Sequence, residues 1–346
     1  MGRTPSIILT VVLFAAAAVL LLRLSVRHFV QDRAESVAAL PQPPLQASPR
    51  AQASCRSNDL KLQIPLMGEA EKDWVIANYV DLDPVVGKIR DYTGAVDARA
   101  VSYDGHTGID FEVASFREVD RGTVVVASGD GVVEETYDQS FDRNRTCSMD
   151  RWNYVKLRHG NGFATYYGHM KKSSVMVHLG DRVSAGAPLG LVGSSGCSSY
   201  PHVHLEVLDC LGQVVEPLQA GLFQDPPRYS RDADSKVMEV IVFQPVIESY
   251  TSLQDPGPED VAVISRGAAM SVGATISHLR AGDLIRIELI TPDNSAFAAH
   301  FEQSVTDYLT RSHWWGNFTP DRTGLWIAQV KVNGIVRAEK LFNVGE

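Results

Sequence analysis

From residue 100 to residue 210 the chain runs in short stretches of alternating apolar and polar positions: GIDFEV, TVVVAS, GVVEETY, NYVKLRH, FATYYGHM, SVMVHL, PLGLVG and VHLEVL, separated by Gly, Asp and Asn turns. Alternation with period two marks strands with one buried face, and no window of useful length carries the 3.6-residue period of a helix. The pattern predicts an antiparallel all-β domain. A second set follows in the last third of the chain: VMEVIVF, DLIRIELI, AFAAHFEQSV, GLWIAQVKV and IVRAEKLF. Its last two runs are joined by Asn333-Gly334, residues that accept the positive φ of a type I′ hairpin turn. Residues 238–346 are therefore expected to form a small β-sandwich of immunoglobulin type.

Upstream the pattern changes. Residues 6–22, SIILTVVLFAAAAVLLL, carry no charge and are near the lower length limit for one membrane span. A cleaved signal would need small residues soon after the apolar core. RLSVRHF stands there instead, which favours an uncleaved anchor. Residues 34–54 are rich in Pro, Ala, Gln and Ser without core periodicity and read as a tether. The expected division is an anchor-bearing segment at 1–33, a linker at 34–54, a β-domain at 55–223 with its core at about 100–217, a second linker at 224–237, and an accessory sandwich at 238–346.

Arg23, Arg27 and Arg33 follow the apolar segment, and a count of positive charges alone would keep the body of the protein in the cytoplasm. All four cysteines, Cys55, Cys147, Cys197 and Cys210, lie beyond that segment, and an even number suits two disulfides in an oxidising compartment. The cysteines and the tether outweigh the charge count, so the body is expected outside the cytoplasm, on the periplasmic or extracellular side. Cys197 and Cys210 bracket the VHLEVL run, and a bridge between them would pin its ends. The formal net charge of −9 leaves no basic surplus for phosphates and excludes a nucleic-acid partner.

Histidines supply the candidate chemistry. In YPHVHLEV, His202 and His204 share one strand face with Glu206, while Val203, Leu205 and Val207 take the other. In YDGHTGID, His106 and Asp110 stand four residues apart, about 13 Å on a fully extended strand. Gly108 can bend the chain and bring them together. His169 ends a third run, YYGHM. The other histidines, His28, His159, His178, His278, His300 and His313, are expected to be structural or solvated. Asp181 is expected to fix a turn, and Trp314-Trp315 to pack rather than stand exposed for carbohydrate stacking. Tyr103 and Tyr166 are candidates for either a groove lining or sheet packing. Residues 55–100, ahead of the first histidine, are a candidate inhibitory segment.

These fragments, in this order, resemble the M23 family of zinc metallopeptidases, the lysostaphin and LytM type of peptidoglycan endopeptidase. The resemblance rests on D104-G-H-T-G-I-D110, the turn A127-S-G-D-G-V-V133, Y167-G-H-M170, G180-D-R-V-S-A-G-A-P-L-G190 and G193-S-S-G-C-S-S-Y-P-H-V-H-L-E-V207. It implies one Zn2+ per chain held by His106, Asp110 and His204, with His169 and His202 catalytic and not ligating. It implies hydrolysis of peptide cross-links of bacterial peptidoglycan; together with the anchor, the expectation is a membrane-anchored enzyme of the cell envelope whose C-terminal domain serves for positioning or for binding an envelope protein. Tyr200 departs from the family pattern, standing where a glycine is frequent, which puts the shape of the groove in question. The alternatives are a non-catalytic member of the fold that activates a separate cell-wall amidase, and a metallopeptidase acting on another envelope protein.

Overall fold

The computed structural model describes residues 60–95 and 101–346. The expected anchor at 6–22, the tether at 34–54 and Cys55 lie outside the described residues. Among those described, no helix is long and apolar enough to cross a membrane.

The first half is built from β1 (Val75–Asn78), β2 (Gly108–Glu112), a short helix α1 (Phe116–Arg121), β3 (Val124–Val126), β4 (Gly131–Tyr137), β5 (Tyr154–Arg158), β6 (Ala164–Gly168), β7 (Arg182–Val183), β8 (Pro188–Leu191) and β9 (His202–Leu208). Seven strands make one antiparallel sheet in the order β1-β2-β9-β6-β5-β4-β7, and β3 pairs with β8. Ile109, Phe111, Val203, Leu205 and Val207 turn to one face and are fully buried. The period-two reading of VHLEVL is thus realised. A one-residue slip of β9 would exchange the histidine face for the Val/Leu face, at about 2 kcal/mol per large apolar side chain, so burial fixes the register on which the site depends.

Two local elements depart from the pattern. SVMVHL forms no strand: Val175 N donates to the Asp138 carboxylate and His178 N to that of Asp181, so side chains take the place of a ladder partner. Asp181 does fix that turn, as expected. Helix α1 was hidden because six residues are too few to display a period. Ser115 caps it, and Gly122 ends it in the left-handed conformation. The helix carries Arg117, fully buried, whose guanidinium donates to the Gly257 carbonyl at 2.7 Å and pairs with Asp260 at 3.0 Å and Glu239 at 3.4 Å.

Those partners belong to the second half, which comprises β10 (Lys236–Phe243), α2 (Thr251–Gln254), β11 (Val263–Ser265), β12 (Met270–Leu279), β13 (Leu284–Ile290), β14 (Ala296–Gln303), β15 (Tyr308–Phe318), β16 (Gly324–Val332) and β17 (Ile335–Gly345). A three-stranded sheet, β10-β12-β15, and a five-stranded sheet, β11-β17-β16-β13-β14, share one core around Trp326, Ile276, Ile287, Val330 and Trp314. Asn333 and Gly334 have the positive φ that the hairpin turn requires, 53° and 78°. One pairing is parallel, β11 with β17. Trp314 is buried, its Nε1 donating to Ser312 Oγ at 2.8 Å, so this tryptophan packs.

The stretch between the halves is docked onto them: Ser230 is buried against Tyr79, and Tyr229 bonds Asp91. All described residues fall in one compact unit. At this junction His278 sits in a register break of β12 with φ +52°, and burial pushes its ring down to about 4 from the ordinary 6.5. The unfolded chain therefore binds the extra proton between those values, and stability from this group is complete above about pH 6.5 and is lost as pH falls towards 4. We expect His278→Asn, which tolerates the left-handed backbone, to remove about 2 kcal/mol of the wild-type loss between pH 7.5 and pH 5. Urea unfolding at the two pH values measures it; an equal loss in both proteins would refute it.

Candidate functional site

Strands β2 and β9 lie side by side with Asp110 opposite His204 and Glu112 opposite His202, and β6 flanks β9 with Gly168 opposite His204. Directly opposed side chains on one face have Cβ atoms about 5 Å apart, so the pairing alone brings Asp110 to His204. His106 arrives by a turn. Its backbone N–H donates to the Tyr103 carbonyl at 3.1 Å, and Gly105 supplies φ +76°. Gly108, where a bend was expected, is the first residue of β2 and has no positive φ. Gly108 does another job: a Cβ there would lie 2.5 Å from His204 Nε2, so its hydrogen makes room for the ring.

The result is a buried triangle. His106 Nε2 lies 3.1 Å from Asp110 Oδ1 and 3.1 Å from His204 Nδ1, and His204 Nδ1 lies 2.9 Å from Asp110 Oδ1. His106 Nδ1 faces the Tyr79 carbonyl at 2.8 Å, and only an N–H can be accepted there. In the neutral ring the lone pair is then on Nε2, pointing into the triangle. Asn78, on β1, donates to the other Asp110 oxygen at 2.9 Å, and Glu206 accepts from Thr107 at 2.6 Å while facing His204 Nε2 at 3.7 Å. Burial opposes ionisation of Asp110, yet the surrounding histidines hold its carboxyl well below the usual range. Burial also opposes charge on His204, but Asp110 and Glu206 push it up to about 9. The cluster draws positive charge inward, as a cation-binding site does. Two imidazole nitrogens and one carboxylate oxygen that can meet within 4.8 Å suit an ion with ligand bonds of about 2 Å, and the donor set fits zinc.

His169 and His202 stand beside the triangle. His169 Nδ1 faces the Ser195 carbonyl at 2.6 Å and His202 Nδ1 the Tyr200 carbonyl at 2.7 Å. Both rings are thereby pinned by a backbone acceptor, leaving Nε2 as the free nitrogen; that of His202 lies 3.5 Å from Asp110. Burial and the neighbouring histidines hold His169 well below its ordinary value, so it stays unprotonated at neutral pH. All five histidine and aspartate positions singled out by the sequence meet here. His159 does not: it is held by Asp130 and Thr165 inside the sheet. His178 is exposed.

The triangle opens on a cleft of about 480 Å³ lined by Tyr103, His106, Asp150, Arg151, Trp152, His169 and His204 among others. Tyr103 joins the lining with its ring 4.4 Å from that of His106, whereas Tyr166 packs on Tyr154. Residues 60–95 supply β1 and core, and none of them lines the cleft. Trp152, missed by the sequence reading, packs against His169 at 4.9 Å and His204 at 5.2 Å in a slot that exists because residues 168 and 196 are glycines. Its loop is tied to the loop ahead of β9 by a Cys147–Cys197 disulfide. That bridge replaces the one expected between Cys197 and Cys210; Cys210 is disulfide-bonded as well. Cys197 belongs to the loop ahead of β9 and Cys210 to the turn after it, at opposite ends of an extended strand of seven residues, roughly 20 Å long, far beyond the reach of a disulfide.

Fold and centre together define a β-sheet domain of peptidase type with a metal-capable site. Residues 104–217 match the peptidase family M23, and this segment of the chain is an M23 domain. The chain is 34% identical over 139 residues to an uncharacterized metalloprotease of Haemophilus influenzae, covering 40% of this chain and 23% of that protein. It is likewise 34% identical over 117 residues to the peptidoglycan DD-endopeptidase ShyA of Vibrio cholerae, covering 34% of this chain and 23% of ShyA. The match thus spans about a quarter of the length of these relatives. Among solved structures, a mutant catalytic domain of the prophage-encoded M23 protein EnpA from Enterococcus faecalis is similar at 27% identity, covering 42% of this chain and 88% of that one with a TM-score of 0.29.

Proposed function

We propose that the chain is a zinc-dependent endopeptidase that hydrolyses peptide cross-links of bacterial peptidoglycan, held in the cell envelope by its N-terminal segment with the catalytic domain on the periplasmic or extracellular side. The observation that carries the reading is the meeting of His106, Asp110 and His204 at one point, with the free nitrogens of two pinned histidines beside it. The Cys147–Cys197 disulfide supports the oxidising compartment.

His106, Asp110 and His204 would hold the zinc. When bound, it supplies Lewis acidity, polarising the scissile carbonyl and making a water acidic near neutral pH. His169, unprotonated, accepts the proton of the attacking water at Nε2 and returns it to the leaving amine. His202, its Nδ1 held by the Tyr200 carbonyl, turns Nε2 to the centre 3.5 Å from Asp110, where it can face the developing oxyanion. Trp152 and Tyr103 both line the cleft. The complete set of five side chains argues against a non-catalytic amidase activator.

The full chain is expected to bind about one zinc and to release peptides from purified cross-linked peptidoglycan. A chelator should abolish release and zinc restore it, with casein left uncut. Release that persists without metal would overturn the zinc assignment, and cleavage of casein but not of peptidoglycan would overturn the substrate.

A further inference from the structure

Tyr200, the residue that departs from the family pattern, does not face the cleft. Its ring is buried between the two halves of the protein, its hydroxyl donating to the Ala114 carbonyl at 2.6 Å. The guanidinium carbon of Arg311, on β15, lies 3.2 Å from the centre of the ring, and His313, two residues along the same strand, approaches the hydroxyl at 3.4 Å. Gln254, on α2, donates to the carbonyl of the preceding residue, Ser199, at 2.8 Å. The backbone of 199–200 is thus gripped from the C-terminal sandwich. That backbone carries the carbonyl on which the His202 ring is pinned.

Arg311 reaches further. It pairs with Glu112 at 3.1 Å and donates to its second oxygen at 3.3 Å, and Glu112 is the buried cross-strand neighbour of His202. One side chain of the sandwich therefore holds both the residue that seats His202 and the residue opposite it. A guanidinium can do this because it stacks flat on an aromatic face while its edge pairs with a carboxylate; an ammonium cannot do both.

We propose that Arg311 is a positioning residue for His202, so that the C-terminal sandwich is a working part of the hydrolytic apparatus and not only an attachment module. The inference rests on the function proposed above. It explains why a bulky tyrosine stands at position 200: the ring is a docking surface for the sandwich.

The test compares the full-length wild type with Arg311→Met, which keeps volume and removes charge, Arg311→Lys, and the surface control Arg322→Ala. Zinc content, kcat and KM on a soluble cross-linked muropeptide dimer, and the ¹⁵N spectra of the histidine rings are measured. Arg311→Met should lower kcat about 10–100-fold with KM within about twofold and zinc unchanged, and should shift the His202 ring signals from the pinned Nδ1–H form. Arg311→Lys should recover part of the loss, and Arg322→Ala should match wild type. A folded, zinc-loaded Arg311→Met with either kcat or the His202 signals unchanged overturns the proposal. If Arg311→Met does not fold, Arg311→Met with Glu112→Gln, which leaves no unpaired buried charge, is read the same way. His204→Ala run alongside separates the two claims: if wild type is no more active than that variant, the functional reading has failed, and the ring spectra alone decide on Arg311.

Discussion

His204→Ala is expected to lower bound zinc from about one per chain to about none and to reduce peptidoglycan hydrolysis by at least roughly 10³-fold. His204 Nδ1 is the apex that closes the triangle, 2.9 Å from Asp110 and 3.1 Å from His106. Without it one nitrogen and one carboxylate remain, and a buried carboxylate left with fewer partners favours its protonated form over a metal. The ring also fills the space above Gly108, so the variant opens a small cavity; thermal unfolding beside metal analysis tells loss of the ligand from loss of the fold. His178→Ala removes an exposed histidine of the same domain and should change neither quantity. Retention of a full zinc by folded His204→Ala would show that the metal, if any, is held elsewhere.

How far this centre could be read from the chain depends on how local its geometry is. H-x-H is legible because a strand has period two, and the apolar residues between the histidines say which face is buried. The joining of Asp110 to His204 is legible only through family order, because their residues are 94 apart and nothing local states which strands are neighbours. What the sequence did not disclose is mostly backbone or distant side chain. The carbonyls of Tyr79, Ser195 and Tyr200 orient three rings, yet any residue has a carbonyl. Asn78 reaches Asp110 from an edge strand within residues 55–100, a stretch that read only as a candidate inhibitory segment. Trp152 left a trace in Gly168, a strand glycine with no positive φ to explain it, but a missing Cβ does not name the ring that fills its place. Tyr200 stood out as a departure that put the groove's shape in question, and a sequence gives no sign that a later sandwich will cover its ring.

The second large effect separates catalysis from metal binding. His169→Ala is expected to lower kcat by about 10²–10⁴-fold while the zinc content stays near one per chain, because the role proposed for His169 is that of a base beside the triangle and not of a part of it. Two features of the fold bear on how the experiment is read. His169 has φ +59°, a left-handed conformation that costs alanine about 1 kcal/mol or more, so part of any loss in the alanine variant could be backbone relaxation. His169→Gly removes the imidazole without that strain, and an equal fall in kcat in both variants assigns the loss to the ring. His169 lines a cleft of about 480 Å³, large enough for a small base, so added imidazole should restore part of the activity of the glycine variant, and more at pH 8 than at pH 6 because only neutral imidazole accepts a proton. A kcat within about threefold of wild type in a zinc-loaded His169→Gly would remove the residue from the mechanism and move the base to His202.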